Sequence, residues 1–289
     1  RVRGGRPWRR DDAAPPAGRV TPLPVRRLRR AVQAEWTKLW TVPSTPWLLA
    51  AAVALTVAGS AGALAAVDTS QCPTPSECFE DTTQLSLTGI WLGQAAVVVL
   101  AVQAMSSEYG TGTIGSTLAA SPSRRLVLLA KAAAVATTAV LAGVLGVLGS
   151  LVAGRAILPG NGFTRANGYE PLSLADGPTL RAAVGTVLYL ALVALLSLGV
   201  ATAARDSAGA ITGVLILLYA FPIVAQLVTD PRWQQRLERY GPMEAGLSIQ
   251  HTTRLDELPI GPWPGLGVLA TYAGVALLSG MTLFQLRDA

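Results

Sequence analysis

The sequence has 289 residues, of which 51% are hydrophobic and 14% are charged, and its formal net charge is +6. An average soluble domain has about 25% charged residues, so this composition excludes an ordinary soluble domain. The apolar residues also lack the alternating pattern of membrane β-strands, which excludes a transmembrane barrel.

The apolar residues form six blocks that are hydrophobic on all sides. Each block reaches or approaches the roughly 20 residues that an α-helix needs to span about 30 Å of hydrocarbon. Buried helices of a large soluble protein would instead be amphipathic. We therefore predict an all-α integral membrane protein with six transmembrane helices. The predicted spans are 46–67, 87–105, 126–152, 180–204, 209–229 and 264–286.

A basic arm precedes the first span. Residues 1–22 are rich in Arg, Pro and Gly and contain no apolar core of a cleavable signal peptide, so we expect a disordered basic tail. Over residues 23–44, apolar side chains recur at helical spacing and include Trp36 and Trp40. This pattern predicts an amphipathic helix that lies in the membrane interface on anionic lipid. The predicted interface residues are Arg26, Arg27, Arg30, Trp36, Lys38 and Trp40.

A solvated run of charge and a nucleic-acid contact fit the arm less well than an interfacial helix does. A solvated run of charge would not place two Trp on one apolar stripe, and Trp is enriched at membrane interfaces. A nucleic-acid contact would fit the charge, but no nucleic-acid-binding module accompanies it, so we expect no nucleic-acid partner.

The distribution of Lys and Arg gives an orientation, because cytoplasmic flanks carry an excess of them. With both termini in the cytoplasm, the inside segments hold 16 of the 23 basic residues, and 11 of those 16 lie in the arm. Without the arm the count is 5 inside and 7 outside. The predicted orientation therefore depends on the arm.

In that orientation the first outside loop contains both cysteines. Cys72 and Cys78 would face an oxidising compartment, where a disulfide closing a short loop is one outcome and two free thiols the other. Sequence spacing does not decide between them. No pattern in this loop supports a metal site.

The loop between the second and third spans contains a GxGxxG spacing at Gly110, Gly112 and Gly115. A dinucleotide fingerprint requires a preceding strand and a later acidic residue, and neither is present. A phosphate loop requires Lys where Ser116 stands. We therefore expect this chain not to bind ATP. A short cytoplasmic helix that begins near Pro122 is the preferred interpretation, since proline is tolerated in a first turn.

Several segments resemble the ABC-2 type permease family of ABC transporters, particularly its actinobacterial members. They are the loop SSEYGTGTIGSTLAASPSRRLVLLAK, the arm segment EWTKLWTVPSTPWLL, and the stretches VATAARDSAGAITGVL, LYAFPIVAQLVTDP, PMEAGLSIQ and LPIGPW. The resemblance implies a permease domain over residues 45–289. It also implies a homo- or heterodimer of permease subunits, and a separate ATPase subunit that binds ATP and Mg.

The resemblance further implies that the loop between helices two and three carries a coupling helix that docks on the ATPase. The positions carried over are Glu108, Tyr109, Gly110, Thr113, Arg124 and Arg125. Gly115 departs from the pattern, since related sequences often have a basic residue there. Between the fifth and sixth helices, residues 230–263 correspond to an external segment of short amphipathic helices. His251 in this segment is expected to be a surface residue.

The helix interiors contain no Asp, Glu, His or Arg. Lys131, about a turn and a half into the third span, is expected to snorkel to the interface. Self-powered ion-coupled transporters usually keep ionisable residues inside the membrane, so this pattern favours a machine driven by a partner. Some polar residues are candidates for a gate or substrate path, with hydrogen bonding between helices as the alternative. The candidates are Gln94, Tyr219, Pro222 and Gln226.

Small residues predict close helix contacts at Gly143, Gly146 and Gly149 and at the GxxxG pair Gly209 and Gly213. Pro222 is expected to kink the fifth helix.

Three function classes follow. The leading one is the permease subunit of an ABC exporter in the cytoplasmic membrane, with no catalytic residues or cofactor of its own. A self-contained secondary transporter or channel is the alternative. A membrane-embedded enzyme is third, because the sequence pairs no Ser with His and no two carboxylates at membrane depth.

Overall fold

The computed structural model describes residues 24–67, 80–110, 112, 113, 115 and 123–286, with side chains from residue 27 onward. This part of the chain is built of helices and contains no strand. The ten α-helices with continuous bounds are α1 (Pro24–Thr41), α2 (Ser44–Ala66), α3 (Thr82–Leu87), α4 (Ile90–Gly110), α5 (Arg124–Ile157), α6 (Gly177–Ala204), α7 (Ser207–Leu227), α8 (Pro231–Tyr240), α9 (Pro242–Leu247) and α10 (Pro262–Leu286).

Six helical stretches are long and apolar enough to cross a membrane. They are Ser44–Ala66, Thr82–Gly110, Arg124–Asn161, Gly177–Ala204, Ser207–Leu227 and Pro262–Leu286. Each contains or largely overlaps one predicted span, so the prediction of six apolar helices in an all-α multi-pass membrane protein is confirmed.

The third apolar helix is longer than its predicted span. It begins at Arg124, where the Ser123 hydroxyl accepts a hydrogen bond from the Leu126 amide, and runs to Ile157. Arg124 and Arg125 therefore belong to the first turn of α5 and not to a separate helix. Pro122, near which the coupling helix is predicted to begin, lies outside the described part of the chain, as do residues 116–121.

The bundle has two ends. The α1 end contains α1, the start of α2, the end of α4 and the start of α5. The α9 end contains α3, α8, α9 and the segment from 158 to 176. Helices α4 and α6 are the most buried of the six apolar helices, whereas fewer than a third of the residues in the apolar stretches of α2, α7 and α10 are buried. Exposed apolar faces on these outer helices fit contact with lipid.

Small residues let the central helix α6 approach α10 closely. A Cβ on Gly199 would lie 2.5 Å from the carbonyl carbon of Ala276, and one on Gly280 would lie 2.7 Å from the Gly199 oxygen. No larger side chain fits between these backbones, so dispersion contacts hold the two helices together.

The predicted contacts at the glycines of α5 are confirmed. A Cβ on Gly143 would lie 3.3 Å from Val187 in α6, and one on Gly149 would lie 2.6 Å from a Val57 methyl in α2. Gly146 packs on Thr56 of α2.

The GxxxG pair of α7 behaves differently. No described atom lies within 4 Å of a Cβ added to Gly213, and Gly209 is approached closely only by Asp206, which caps the same helix. The pair therefore makes no close helix contact with the described residues of this chain, and a contact across a dimer stays a prediction. Helix α7 continues through Pro222 to Leu227.

The segment between α7 and α10 folds into two short helices. Helix α8 is polar and exposed, with Trp233 on its surface. Helix α9 is buried, and Met243 and Leu247 contribute to the core. Gly246 packs against the ring of Tyr189, near the middle of α6, so α9 is inserted beside the central helix.

Candidate functional site

Four charged side chains from three helices meet at the α1 end of the bundle. Helix α1 supplies Glu35 and Lys38, α4 supplies Glu108, and α5 supplies Lys131. These four residues are called the charge cluster below. Glu35 and Lys38 share a side of α1 because residues three apart are neighbours on a helix surface.

Lys131 is the centre of the cluster. Its Nζ atom donates to Glu35 Oε2 at 2.6 Å, to Glu108 Oε1 at 3.0 Å and to the Ala104 carbonyl at 2.9 Å. An ammonium group has three donors, so all of them are satisfied. The side chain is only 3% exposed. The expectation that Lys131 snorkels to an interface is therefore wrong, because its partners lie inside the bundle.

Lys38 lies on the solvent-exposed side of the cluster. Its Nζ atom lies 2.7 Å from Glu35 Oε1 and 3.1 Å from Glu108 Oε1. Its side chain is 44% exposed, in contrast to that of Lys131. The four formal charges sum to zero, which is the arrangement that burial of charge requires.

The cluster shifts the proton affinity of its α1 members. Burial alone would raise the pKa of the Glu35 carboxyl, but the Lys131 ammonium, with help from Lys38, holds that pKa below its ordinary value. Burial alone would lower the pKa of Lys38, but hydrogen bonds and attraction from Glu35 and Glu108 raise it above its ordinary value. Both shifts favour the charged forms.

One oxygen of the cluster has no partner. Glu108 is 7% exposed, and its Oε2 atom is buried without a hydrogen-bond donor among the described residues. An unsatisfied buried group of this kind costs about 1–3 kcal/mol, or more when it is charged. The site therefore has the capacity to accept one more hydrogen bond.

A cavity of about 450 Å³ lies beside the cluster. Its polar lining residues include all four cluster residues, together with Ser44 and Gln103, whose side chains bond to each other at 3.3 Å. Its apolar lining residues include Leu39, Val42, Leu48 and Leu100.

The six predicted coupling residues do not form one group. Glu108 and Thr113 line the cavity, while Gly110 ends α4. Tyr109 packs under the Arg205 guanidinium, 5.2 Å from ring centroid to carbon, and so contacts the end of α6.

The two arginines of the predicted coupling set have different surroundings. Arg124 donates to the Phe284 carbonyl at 2.5 Å and lies over the Phe284 ring, which ties the start of α5 to the end of α10. Arg125 is exposed. Of these two arginines, Arg125 is therefore the more exposed.

The predicted interface residues lie on α1 as follows. Arg27 and Arg30 are exposed, and the side chain of Arg26 is outside the described part. The rings of Trp36 and Trp40 pack against each other at 5.7 Å between centroids, with their planes tilted by 40°. Lys38 is turned toward Glu35 and Glu108.

Of the four predicted gate residues, Gln94 and Tyr219 are neighbours whose side chains lie within hydrogen-bonding reach. Gln94 is fully buried, accepts a hydrogen bond from the Tyr189 hydroxyl at 2.5 Å and contacts the Met243 sulfur. The Tyr219 hydroxyl donates to the Trp91 carbonyl. These bonds link α4 to α6, α7 and α9. Pro222 is buried in α7, and Gln226 is exposed.

A second polar network lies at the α9 end. Asp81 caps α3 through the Thr83 and Gln84 amides and also accepts the Thr252 hydroxyl at 2.8 Å. His251 is half-buried, and its Nε2 atom lies 3.2 Å from the side-chain nitrogen Nε2 of Gln84, so it is less exposed than expected. Burial lowers the pKa of His251, against the opposing effect of Asp81.

This network borders another cavity, of about 360 Å³, that includes Glu238, Glu244 and His251. Burial raises the pKa of Glu244, and the nearby Glu238 carboxylate raises it further. Among the described residues, no group of three His, Cys, Asp or Glu side chains is placed to hold a metal ion.

Two cluster residues are absent from the sites predicted from the sequence. Glu35 lies only at the edge of the amphipathic pattern, and the prediction for Lys131 is a position at the interface. A lysine inside an apolar helix is costly and requires a partner of opposite charge. The position of Lys131 therefore indicates a buried ion pair, and its partners are Glu35 and Glu108. Cys72 and Cys78 lie outside the described residues, and their pairing stays a prediction.

No protein-family model matches the chain, and a search of curated proteins finds no match either.

Proposed function

We propose that the chain is the permease subunit of an ATP-driven transporter of the ABC-2 type, most simply an exporter in the cytoplasmic membrane. It works as a homo- or heterodimer, and a separate ATPase subunit binds and hydrolyses ATP. The proposal combines the six apolar helices with the resemblance of the loop around Glu108 to this family.

The observation that carries the proposal is the position of Glu108 in the charge cluster. Glu108 ends an apolar helix next to the loop where the resemblance implies a contact with the ATPase. Through Lys131 and Lys38 it is bound to α5 and α1. A displacement of this loop would therefore reach three helices at once, which is what coupling to an external motor needs.

The position of the α1 end relative to the membrane is also part of the proposal. With α1 in the cytoplasmic interface, Trp36 and Trp40 lie at headgroup level and the exposed Arg27 and Arg30 meet anionic lipid. The segment from α8 to α9 then lies on the opposite side.

A self-contained secondary transporter is the second candidate, and the charge cluster is the observation in its favour. Titratable side chains buried in a membrane bundle are typical of ion-coupled carriers. However, the four charges are already paired at one end, and the middle turns of the six described helices contain no other Asp, Glu, His, Lys or Arg. The middle turns of the described helices therefore contain no further charged residues that could form a proton relay across the membrane.

One experiment separates the two candidates. The chain is expressed with the ATPase encoded by a neighbouring gene, one that has a phosphate-loop lysine, and the complex is purified and placed in liposomes. We expect the two proteins to purify together and transport to require ATP. Transport by the chain alone, driven by an ion gradient, would instead identify a secondary transporter.

A further inference from the structure

The cavity beside the charge cluster has the features of a binding site for an amphiphile. Its volume of about 450 Å³ lies in the range of about 300–1,000 Å³ that small-molecule sites occupy. Its lining combines charged and polar groups with the apolar side chains of Leu39, Leu48 and Leu100. A ligand that matches this mixed lining has a polar head and an apolar tail.

The Glu108 carboxylate defines what the head must offer. Its Oε1 atom accepts from both lysines of the cluster, whereas its Oε2 atom, buried at the same site, accepts from no described residue. The missing partner is a hydrogen-bond donor. A charged N–H donor satisfies a carboxylate in a poorly solvated site better than a neutral hydroxyl does.

The charge balance of the site restricts the ligand further. The two carboxylates and two ammonium groups already sum to zero. A ligand with one extra positive charge would leave a buried excess, and burying unbalanced charge is costly. A zwitterionic head brings its own anion and leaves the site neutral.

We infer that this cavity binds the headgroup of an aminophospholipid, with the primary ammonium on Glu108 and the first methylenes of the tails along Leu48 and Leu100. Phosphatidylethanolamine has this chemistry. Phosphatidylcholine has the same net charge and tails, but its quaternary ammonium has no N–H to donate. The site requires only that the chain lies in a bilayer, so it does not depend on ATP-driven transport.

The test compares these two lipids on the full-length protein. The protein is purified in dodecyl maltoside and titrated with dioleoyl-phosphatidylethanolamine or dioleoyl-phosphatidylcholine, and bound lipids are counted by native mass spectrometry. We expect the amine lipid to bind at least about tenfold more tightly, a difference of the size that one good hydrogen bond gives. Equal binding of the two lipids would overturn the inference.

Two variants locate the bound lipid. Glu108→Gln keeps the shape of the side chain but removes the charged acceptor. The variant should therefore bind the two lipids almost equally tightly, in protein that still elutes as a single species. Leu48→Trp adds bulk at an apolar residue of the cavity lining, leaves the four cluster residues unchanged in sequence and should reduce binding of the amine lipid about tenfold. Its control is Leu55→Trp on the same helix, at a residue that is exposed and outside the cavity.

Two further results would overturn the assignment of the bound lipid to this cavity. Undiminished binding of phosphatidylethanolamine by Leu48→Trp would place the bound lipid elsewhere and overturn the assignment, even if Glu108→Gln fails to fold. If the protein binds dodecylamine but not phosphatidylethanolamine, the cavity is a site for simple amines, and the phospholipid assignment is overturned.

Discussion

The Lys131 ammonium lies 2.6 Å from a Glu35 carboxylate oxygen, although 96 residues separate the two in sequence. Both side chains are almost completely buried, at 3% and 6% exposed. This bond attaches α1 to the third apolar helix, and Glu108 attaches both to the second. The amphipathic helix is therefore fixed to the bundle by charge as well as by the packing of Leu39 and Trp36.

Replacing Lys131 by Met should destabilise the protein strongly. The substitution leaves Glu35 and Glu108 buried with fewer partners, and breaking a buried ion pair from one side costs about 3–5 kcal/mol. The measurement is thermal or denaturant unfolding in detergent. Lys38→Met is the matched control, and it should cost clearly less because Lys38 is half-exposed and water can replace it. Equal losses for both variants would contradict the central position of Lys131.

The attachment of α1 should be sensitive to acid. The pKa of Glu35 in the folded protein lies below its ordinary value of 4.5, so its ionised form contributes stability above that value. This contribution is lost as the pH falls through the lower folded pKa. We expect the emission of Trp36 and Trp40 to change in that acidic range. Glu35→Gln removes the titrating group and should remove this transition, and an unchanged transition would assign it to another residue.

The raised pKa of Lys38 makes the attachment of α1 sensitive to alkali, whereas Glu35 makes it sensitive to acid. The Lys38 pKa is raised above the ordinary value of 10.5, so its contribution is complete below that pH and is lost as the pH rises through the higher folded pKa. Between the acidic and alkaline limits, the attachment of α1 should be independent of pH. A transition of the tryptophan signal between about pH 6 and pH 9 would contradict this.

Local features allow the apolar helices to be predicted. Spanning length and the absence of polar faces are properties of consecutive residues, and they identify all six stretches. The ends are less accurate, because caps such as Ser123 and the continuation of α5 to Ile157 depend on polar residues beyond the apolar block.

The charge cluster cannot be predicted in the same way. The family resemblance selects Glu108, but its partners come from positions 70 and 23 residues away. Sequence reasoning places Lys131 at an interface because a lysine near a helix end usually reaches water. Whether it reaches water or a carboxylate depends on which helices pack beside it, and that is a property of the tertiary fold.

Replacing Glu108 by Ala should uncouple transport from ATP hydrolysis under the proposed function. The change removes the acceptor that joins the end of α4 to Lys38 and Lys131, so a movement of the adjacent loop would no longer reach α1 and α5. ATPase binding, ATP hydrolysis and transport are measured together, and we expect hydrolysis without transport.

The control for Glu108→Ala is Glu35→Gln. It also removes a buried partner of Lys131 but lies far from the loop in sequence, so it separates a loss of stability from a loss of coupling. Coupling should be weakened less in Glu35→Gln than in Glu108→Ala. Unchanged transport in Glu108→Ala would refute the coupling function of this residue.

The contact between α2 and the start of α4 should tolerate no side chain at Gly89. A Cβ there would collide with the backbone of Thr56 and Ser60, and the Gly89 amide donates to the Ser60 hydroxyl at 3.1 Å. Gly89→Ala should cost about 1–3 kcal/mol through overpacking. Gly62→Ala on α2 meets no atom within 4 Å and should be neutral or stabilise by up to about 1 kcal/mol. Unfolding in detergent compares them, and equal stabilities would contradict the packing.

The orientation of the chain can be tested at its two cysteines. With α1 in the cytoplasm, Cys72 and Cys78 follow the first span and lie on the opposite side of the membrane. A maleimide reagent that cannot cross the membrane should therefore label them in intact cells, and only after reduction if they are paired. Inverted vesicles should protect them. A cysteine introduced at the exposed Arg125 should show the reverse accessibility, since α5 begins at the α1 end. Labelling of Cys72 from the cytoplasmic side would reverse the topology and place α1 and the charge cluster outside.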